Sequence, residues 1–222
     1  MKLSENTVST IKNFSTINTG LFFKAGNVLR TVSPFKTVLA EATIDETFPS
    51  DFGIFDLNQL LSVLSLHKDA PELSIEGNNL VVHGFGGRSK ITYRCCDATM
   101  IKTPPDKNIT LPSEEVSFVL SETDLEWVMK TAGVLASPNI AVVGADGALS
   151  LRILDAQNDS ANTDTLDLGP HSGANVYFLF KTENWKQTSG TYTVAISSKG
   201  VAHFQHQSRK LAYWIATEAK KA

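Results

Sequence analysis

Cysteine is almost missing from this chain: the only two, Cys95 and Cys96, are adjacent. Neighbours on an extended strand point to opposite faces, so this pair does not close a disulfide on itself. With no third thiol, a thiolate metal site has no support. Long apolar runs are missing too. No stretch approaches the roughly 18 residues of a membrane span, and the opening MKLSENTV has no apolar run behind its lysine. An intracellular protein without a membrane segment is expected. An excess of base is also lacking, since 20 Lys and Arg stand against 23 Asp and Glu for a net charge of −3. That argues against a nucleic-acid binder that is basic all over, and leaves a local basic patch open. What is present, 42% hydrophobic and 19% charged residues, is ordinary for a globular protein and excludes disorder, collagen and coiled coil.

The chain opens two helices with nearly the same words, LSEN at Leu3–Asn6 and LSET at Leu120–Thr123. A helix is expected from Ser4 to about Thr16, capped by Ser4 or Asn6, with Val8, Ile11, Phe14 and Ser15 on its buried face. Strands follow at 21–23, 28–32, 37–44 and 52–55, then a helix after the cap Asp56 running DLNQLLSVLSLHKD, then strands at 72–76, 80–83 and 89–96. The stretch IKTPPDKNITLPSEE holds three of the eight prolines and fits neither period, so it reads as an extended connector. Beyond it the order restarts: strand 116–120, helix 122–135, strands 139–144, 149–155, 165–168 and 176–180, a short helix at 182–187, and strands 191–197, 201–206 and 210–217. The expected organisation is an amino-terminal domain over 1–100, a connector over 101–115 and a carboxy-terminal domain over 116–222. Each half would hold two strand, helix, three-strand units, a duplicated α+β fold with helices on one face of antiparallel sheets.

The outward face of the first helix lacks acid past its first turn, and that of the second lacks it after the cap Asp56. On the first, Ser9, Asn13 and Thr16 face away from the apolar stripe with Lys12 on the flank; on the second, Asn58, Ser62 and Ser65 do so. The third helix buries Leu125, Val128, Met129 and Ala132 and turns Thr123, Trp127 and Lys130 outward, and the fourth offers Lys186 beside Trp185. In a chain with more acids than bases, neutral hydroxyls and amides with scattered lysines suit a surface that lies near phosphates and contacts them loosely, without reading bases. A simply solvated face is the alternative reading of each lysine.

The opening twenty residues MKLSENTVSTIKNFSTINTG, the helix IFDLNQLLSVLSL, the proline-containing connector and the second-half LSETDLEWVMK together resemble the DNA polymerase sliding clamps of T-even-type phages. The resemblance runs in order along nearly the whole chain. It implies a homotrimeric ring of two-domain subunits, with twelve helices around a hole for duplex DNA and edge strands pairing between subunits. It further implies an ATP-dependent clamp loader, the carboxy-terminal tail of the replicative polymerase as a partner, a part in late transcription with its sigma factor and co-activator, and action in the cytoplasm of the infected bacterium. No cofactor, metal or catalytic residue is implied. Carried over by position, Lys12 and Lys130 fall where the family is basic, while Lys2, Lys68, Lys181 and Lys186 lie at the ends or edges of the expected pore helices. Trp127 departs from the family's small or amide residue, and would stack, wedge or pack on a helical neighbour. A partner tail with apolar anchors needs an apolar pocket, and Ile109, Leu111 and Pro112 on the connector with Pro34 and Phe35 are its candidates, ordinary packing being the alternative.

Other motifs carry less. The run GFGGR at Gly84–Arg88 lacks the lysine and hydroxyl pair of a phosphate loop and is followed by a strand, so it reads as a turn. His203 and His206 fall on opposite faces of a strand, cannot share a metal, and are expected at the surface. Asp124 and Glu126 suit a helix amino terminus and its dipole. A virion protein with duplicated α+β domains, or an unrecognised hydrolase, stand as the competing functions.

Overall fold

A computed structural model describes residues 1–67, 71–107 and 109–219, and the chain divides into two compact units, Met1–Asp106 and Lys107–Ala222. The division falls within the expected connector. The first unit holds α1 (Glu5–Ser15), β1 (Leu21–Phe23), β2 (Gly26–Val32), β3 (Val38–Phe48), β4 (Phe52–Ile54), α2 (Leu57–Ser65), β5 (Glu72–Glu76), β6 (Asn79–Gly84) and β7 (Ser89–Arg94). Every ladder is antiparallel: β1 with β4, β2 with β3, and the sheet β5-β6-β7. The helices and sheets enclose an aromatic knot in which Phe23 stacks on Phe52 at 4.6 Å while Phe48 meets both rings edge-on.

α1 starts because the extended Ser4 caps it, its hydroxyl accepting from the Thr7 N–H at 3.2 Å. The carboxylate of Glu46 on β3 accepts from the Ser4 N–H and the Thr7 hydroxyl, tying the positive end of the helix to the strand. This moves the buried stripe. Thr7, Thr10, Ile11 and Phe14 face the core, whereas Val8, expected inside, is half-exposed. The threonines can be buried because Thr7 is satisfied by Glu46 and Thr10 donates back to the Asn6 carbonyl at 2.8 Å. On α2, Asp56 caps at Gln59 N–H (3.0 Å) and Leu57, Leu60 and Leu64 are buried as the leucine spacing demands. The start of the connector is strapped to its unit: Arg30 donates from Nη1 to the Pro105 carbonyl at 2.9 Å, and Lys24 pairs with Asp106.

The second unit holds β8 (Val116–Leu120), α3 (Glu122–Val134), β9 (Asn139–Ala145), β10 (Ala148–Leu154), β11 (Asp164–Pro170), β12 (Val176–Lys181), β13 (Tyr192–Ser197), β14 (Val201–His206) and β15 (Leu211–Ala216). One antiparallel sheet runs β11-β10-β9-β12, and β15-β14-β13-β8 form another antiparallel series. α3 opens on Ser121, whose hydroxyl accepts from the Asp124 N–H at 3.1 Å and donates to that residue's carboxylate at 2.6 Å. The helix buries Leu125, Val128 and Ala132.

The expected fourth helix is absent among the described residues. Residues Thr182–Asn184 form a single 3-10 turn instead. Thr182 is held at its backbone N–H by the Pro138 carbonyl and at its hydroxyl by the Ser137 carbonyl, at 2.9 and 2.8 Å. Trp185, 4% exposed, then drops its indole edge-on between Phe180 and Phe204. Burying that ring takes the chain into the core after one turn, which a continuing helix would prevent. The chain therefore supplies three α-helices among its described residues, one fewer than the family resemblance implies per subunit.

Candidate nucleic-acid interface

The outward helix faces carry the chemistry expected of them. Ser9, Lys12 and Thr16 of the α1 segment are exposed, and Asn13 is half-exposed. On α2, Asn58, Ser62 and Ser65 are exposed, and no acid lies between the cap Asp56 and Ser65. The Ser62 and Ser65 hydroxyls donate to the carbonyls of Asn58 and Ser62, both at 2.8 Å. Their oxygens point a neutral, water-accepting surface outward. On α3, Thr123, Trp127 and Lys130 are exposed. Glu122 and Glu126 are exposed on the same helix, but both carboxylates accept from the Ser189 hydroxyl, at 2.5 and 3.1 Å, and so are turned to one flank. Lys12 and Lys130 enter no ion pair among the described residues.

The remaining lysines fall elsewhere. Lys2 sits in a bridge opposite Glu72 at the margin of β5. Lys181 ends β12 and lies 3.9 Å from Glu183, and Lys186 is half-buried beyond the 3-10 turn, so neither rides on a pore helix as its position suggested. Lys68 lies outside the described residues. Trp127 is 52% exposed and donates its indole N–H to Asp164 Oδ2 at 2.9 Å, a pairing across 37 positions that no local pattern announced.

The five pocket candidates divide between the two units. Pro34 and Phe35 are on the β2–β3 turn, with Phe35 89% exposed; Ile109 and Leu111 are half-buried and Pro112 is exposed. None of them lines the cavity of about 960 Å³ in the second unit, which is walled by Pro138, Tyr177, Leu179, Lys181 and Glu218 among others. Tyr177, Leu179 and Lys181 alternate on one face of β12 while Phe180 is buried on the other. That alternation was the signal available in the sequence. Glu218, which closes the cavity by donating its N–H to the Leu179 carbonyl at 2.7 Å, gave none.

GFGGR is a turn, with Gly87 N–H on the Gly84 carbonyl at 3.1 Å and Phe85, Gly86 and Gly87 all at positive φ. His206 corrects the expectation of surface histidines. It is 6% exposed, edge-on to Tyr192 at 4.9 Å, with Nδ1 accepting from Ser208 N–H at 3.2 Å. His203 is half-buried against Trp214. Alternation placed both correctly on opposite faces; the sequence did not reveal that both faces of β14 are covered. Burial holds both imidazoles below the ordinary histidine range. The unfolded chain therefore takes up protons that the folded chain refuses. This contribution to stability is complete above about pH 6.5 and is lost as pH falls through the lower folded values. Thermal melts should show Tm falling from pH 7 to pH 5, and His206→Phe should flatten that slope; an unaltered slope would refute the assignment.

A family model described as DNA polymerase processivity factor matches residues 2–101. The protein described as "Sliding clamp" in Vibrio phage KVP40 is 34% identical, over 99% of this chain and 100% of that one. Its counterpart of the same description in Enterobacteria phage T4 is 31% identical, over 99% and 97%. Among solved structures, PCNA from Thermococcus kodakaraensis matches with a TM-score of 0.70 at 19% identity, over 96% of each chain. A. fulgidus PCNA, with the C-terminal region of FEN-1 bound, matches with a TM-score of 0.73 at 14% identity, over 100% of this chain and 98% of that one. At such identities the structures establish a shared α+β fold.

Proposed function

The chain belongs to the sliding-clamp family of DNA polymerase processivity factors, and from that premise we propose that it works as a homotrimeric ring through which duplex DNA threads. A sliding clamp is a scaffold without catalysis of its own: it tethers the replicative polymerase to DNA. A polymerase that releases the primer end then rebinds faster than it escapes, because its effective concentration stays high. The alternative of a virion protein finds no support among these relatives. The observation that carries the ring reading is the outward chemistry of α1 and α2, neutral hydroxyls and amides with Lys12 among them, together with Lys130 exposed on α3. Such a surface holds phosphates weakly and without sequence preference, which permits sliding.

Closing a ring from identical subunits takes two different, complementary edges on each. The outer side of β5 is occupied by the Lys2–Glu72 bridge, with Leu73 N–H on the Met1 carbonyl at 2.6 Å. The outer side of β12 is met by Glu218. Among the described residues β7 and β11 each keep one open side, as do β2 and β8. β7 carries Lys90 and Arg94 on its exposed face and β11 carries Asp167 on its own, so opposite charges favour their pairing between copies. Pairing would also remove two exposed edges.

The cavity beside β12 suits the apolar anchors of the polymerase's carboxy-terminal tail, with Tyr177 and Leu179 as its floor and Lys181 at its rim for the terminal carboxylate. The carboxy-terminal region seated on the A. fulgidus clamp supports that mode. Pro34 and Phe35 on the first unit, and Ile109, Leu111 and Pro112 on the second, remain separate candidates for partner contacts. An ATP-dependent loader would open the ring, a late-transcription sigma factor or co-activator would share the docking surface, and the work would be done in the cytoplasm of the infected host. Primer extension with the cognate polymerase and loader tests this. Products should lengthen on circular template and shorten again when the template is linear with free ends. Leu179→Glu should abolish the gain while leaving the trimer intact. Equal product lengths on both templates would refute encirclement.

A further inference from the structure

Trp127 is the one aromatic residue on the exposed face of α3, which it shares with Lys130 and Val134; about half of it remains in solvent, and its one polar atom is already used. The acceptor is Asp164, the first residue of β11. That carboxylate is fixed at both oxygens: Oδ2 takes the indole N–H at 2.9 Å, and Oδ1 takes the backbone N–H of Thr165, also at 2.9 Å.

The strand it heads needs such a fixture. β11 follows the polar residues 155–163, pairs on one side with β10 alone, and its ladder shifts register between Leu149 and Ser150 at the far end. A strand held from one side frays first at its ends. Slippage by one residue would turn Leu166 and Leu168, which share a face with Asp164, to the opposite side of the sheet. A tie at Asp164 to the rigid helix α3 prevents both.

We propose that Trp127 is a positioning residue for self-assembly: by hydrogen-bonding Asp164 it locks the head of the open edge strand β11 to α3 and presents that edge in register to a second copy of the chain. The inference rests on the reading of the chain as a self-assembling clamp. The partner is chemically another β edge, the recognition is backbone pairing, and the indole acts at one remove from the contact.

The test is a dilution series followed by light scattering, with thermal unfolding and retention on nicked circular DNA measured on the same samples. Trp127→Phe keeps the ring and loses only the donor. It should raise the concentration of half-dissociation by roughly tenfold, as expected for loss of a hydrogen bond to a charged group. Asp164→Leu should do the same, the double variant should be no worse than either alone, and Asp164→Asn, which keeps an acceptor oxygen, should stay within about twofold of wild type. An unchanged midpoint for Trp127→Phe with a lowered Tm would reduce the contact to local packing and overturn the proposal. An unchanged midpoint with shortened retention on DNA would make Trp127 a DNA contact and overturn it equally. A wild-type chain that stays monomeric at tens of micromolar would overturn the trimer reading itself; a wild-type trimer indifferent to Trp127→Phe would overturn only the inference.

Discussion

Reversing the charge at Lys12 and Lys130 together, as Lys12→Glu with Lys130→Glu, should leave a trimer of roughly 72 kDa, three times 24.1 kDa, that no longer stays on circular DNA. Both side chains are exposed on helix faces that carry no other cation directed outward, and neither is engaged in an ion pair among the described residues. A ring would bring six such lysines to the duplex. If each neutralises one phosphate at about 0.9 in the salt slope, the double variant should lower that slope by up to about 5. Six glutamates would add repulsion, so residence on a nicked circle should shorten by at least about tenfold. Retention measured by gel filtration of clamp loaded on nicked plasmid, across a salt series, reads both quantities. A normal residence time would remove the lysines from the DNA path, and a loss of trimer mass would move them to the subunit contact.

Asn18→Ala should be the most damaging single truncation outside the apolar core. Asn18 is 8% exposed, and its amide donates to the carbonyls of Val32 and Lys102 at 3.0 and 3.1 Å while its oxygen accepts the Gly20 N–H at 3.1 Å. One side chain thus joins the segment after α1, the end of β2 and the start of the connector. Alanine would leave two carbonyls and an N–H without partners in a buried setting, each worth about 1–3 kcal/mol when orphaned. Partial entry of water should hold the total to about 3–4 kcal/mol, a large share of the stability of an ordinary domain. Urea unfolding of the full chain followed by far-UV circular dichroism checks this. A change under about 0.5 kcal/mol would mean that the three backbone groups find other partners. Asn18→Asp should be worse than alanine at neutral pH, since it aims a carboxylate at two carbonyls, and should recover in part as acid protonates it.

Legibility followed the range of the interactions. The caps Ser4, Asp56 and Ser121 lie within three residues of the N–H groups they accept from; Asp56 was readable in place, Ser4 was one of two candidates, and Ser121 lies in the LSET that marks the start of its helix. Strands at Glu72–Glu76, Val116–Leu120 and Val201–His206 begin and end where their alternation does. The buried threonines of α1 were misread because Thr7 owes its burial to Glu46, 39 positions away. Periodicity alone favours Val8, since it ranks side chains by polarity and knows nothing of partners. The fourth helix failed for a similar reason: residues 182–187 are tolerable helix formers, and only the Phe180 and Phe204 rings explain why Trp185 breaks away after one turn. In the candidate site, Lys12 and Lys130 could be placed by helix phase, whereas Lys181 and Lys186 could not once that helix was gone.

By itself the sequence determined most element types and their order, three of the four expected helices, the acid-poor outward faces of α1 and α2 and, through four stretches taken together, the family. All of these depend on spacing within a few residues, where backbone geometry fixes which side chains share a face. Tertiary structure decided what each face meets. It set Glu46 against the start of α1, Asp164 against Trp127, Glu218 against Leu179, and Asn18 between Val32 and Lys102. Those pairings close loops of 14 to 84 residues, and a hydrogen bond depends on the approach of two particular atoms, which no local period encodes.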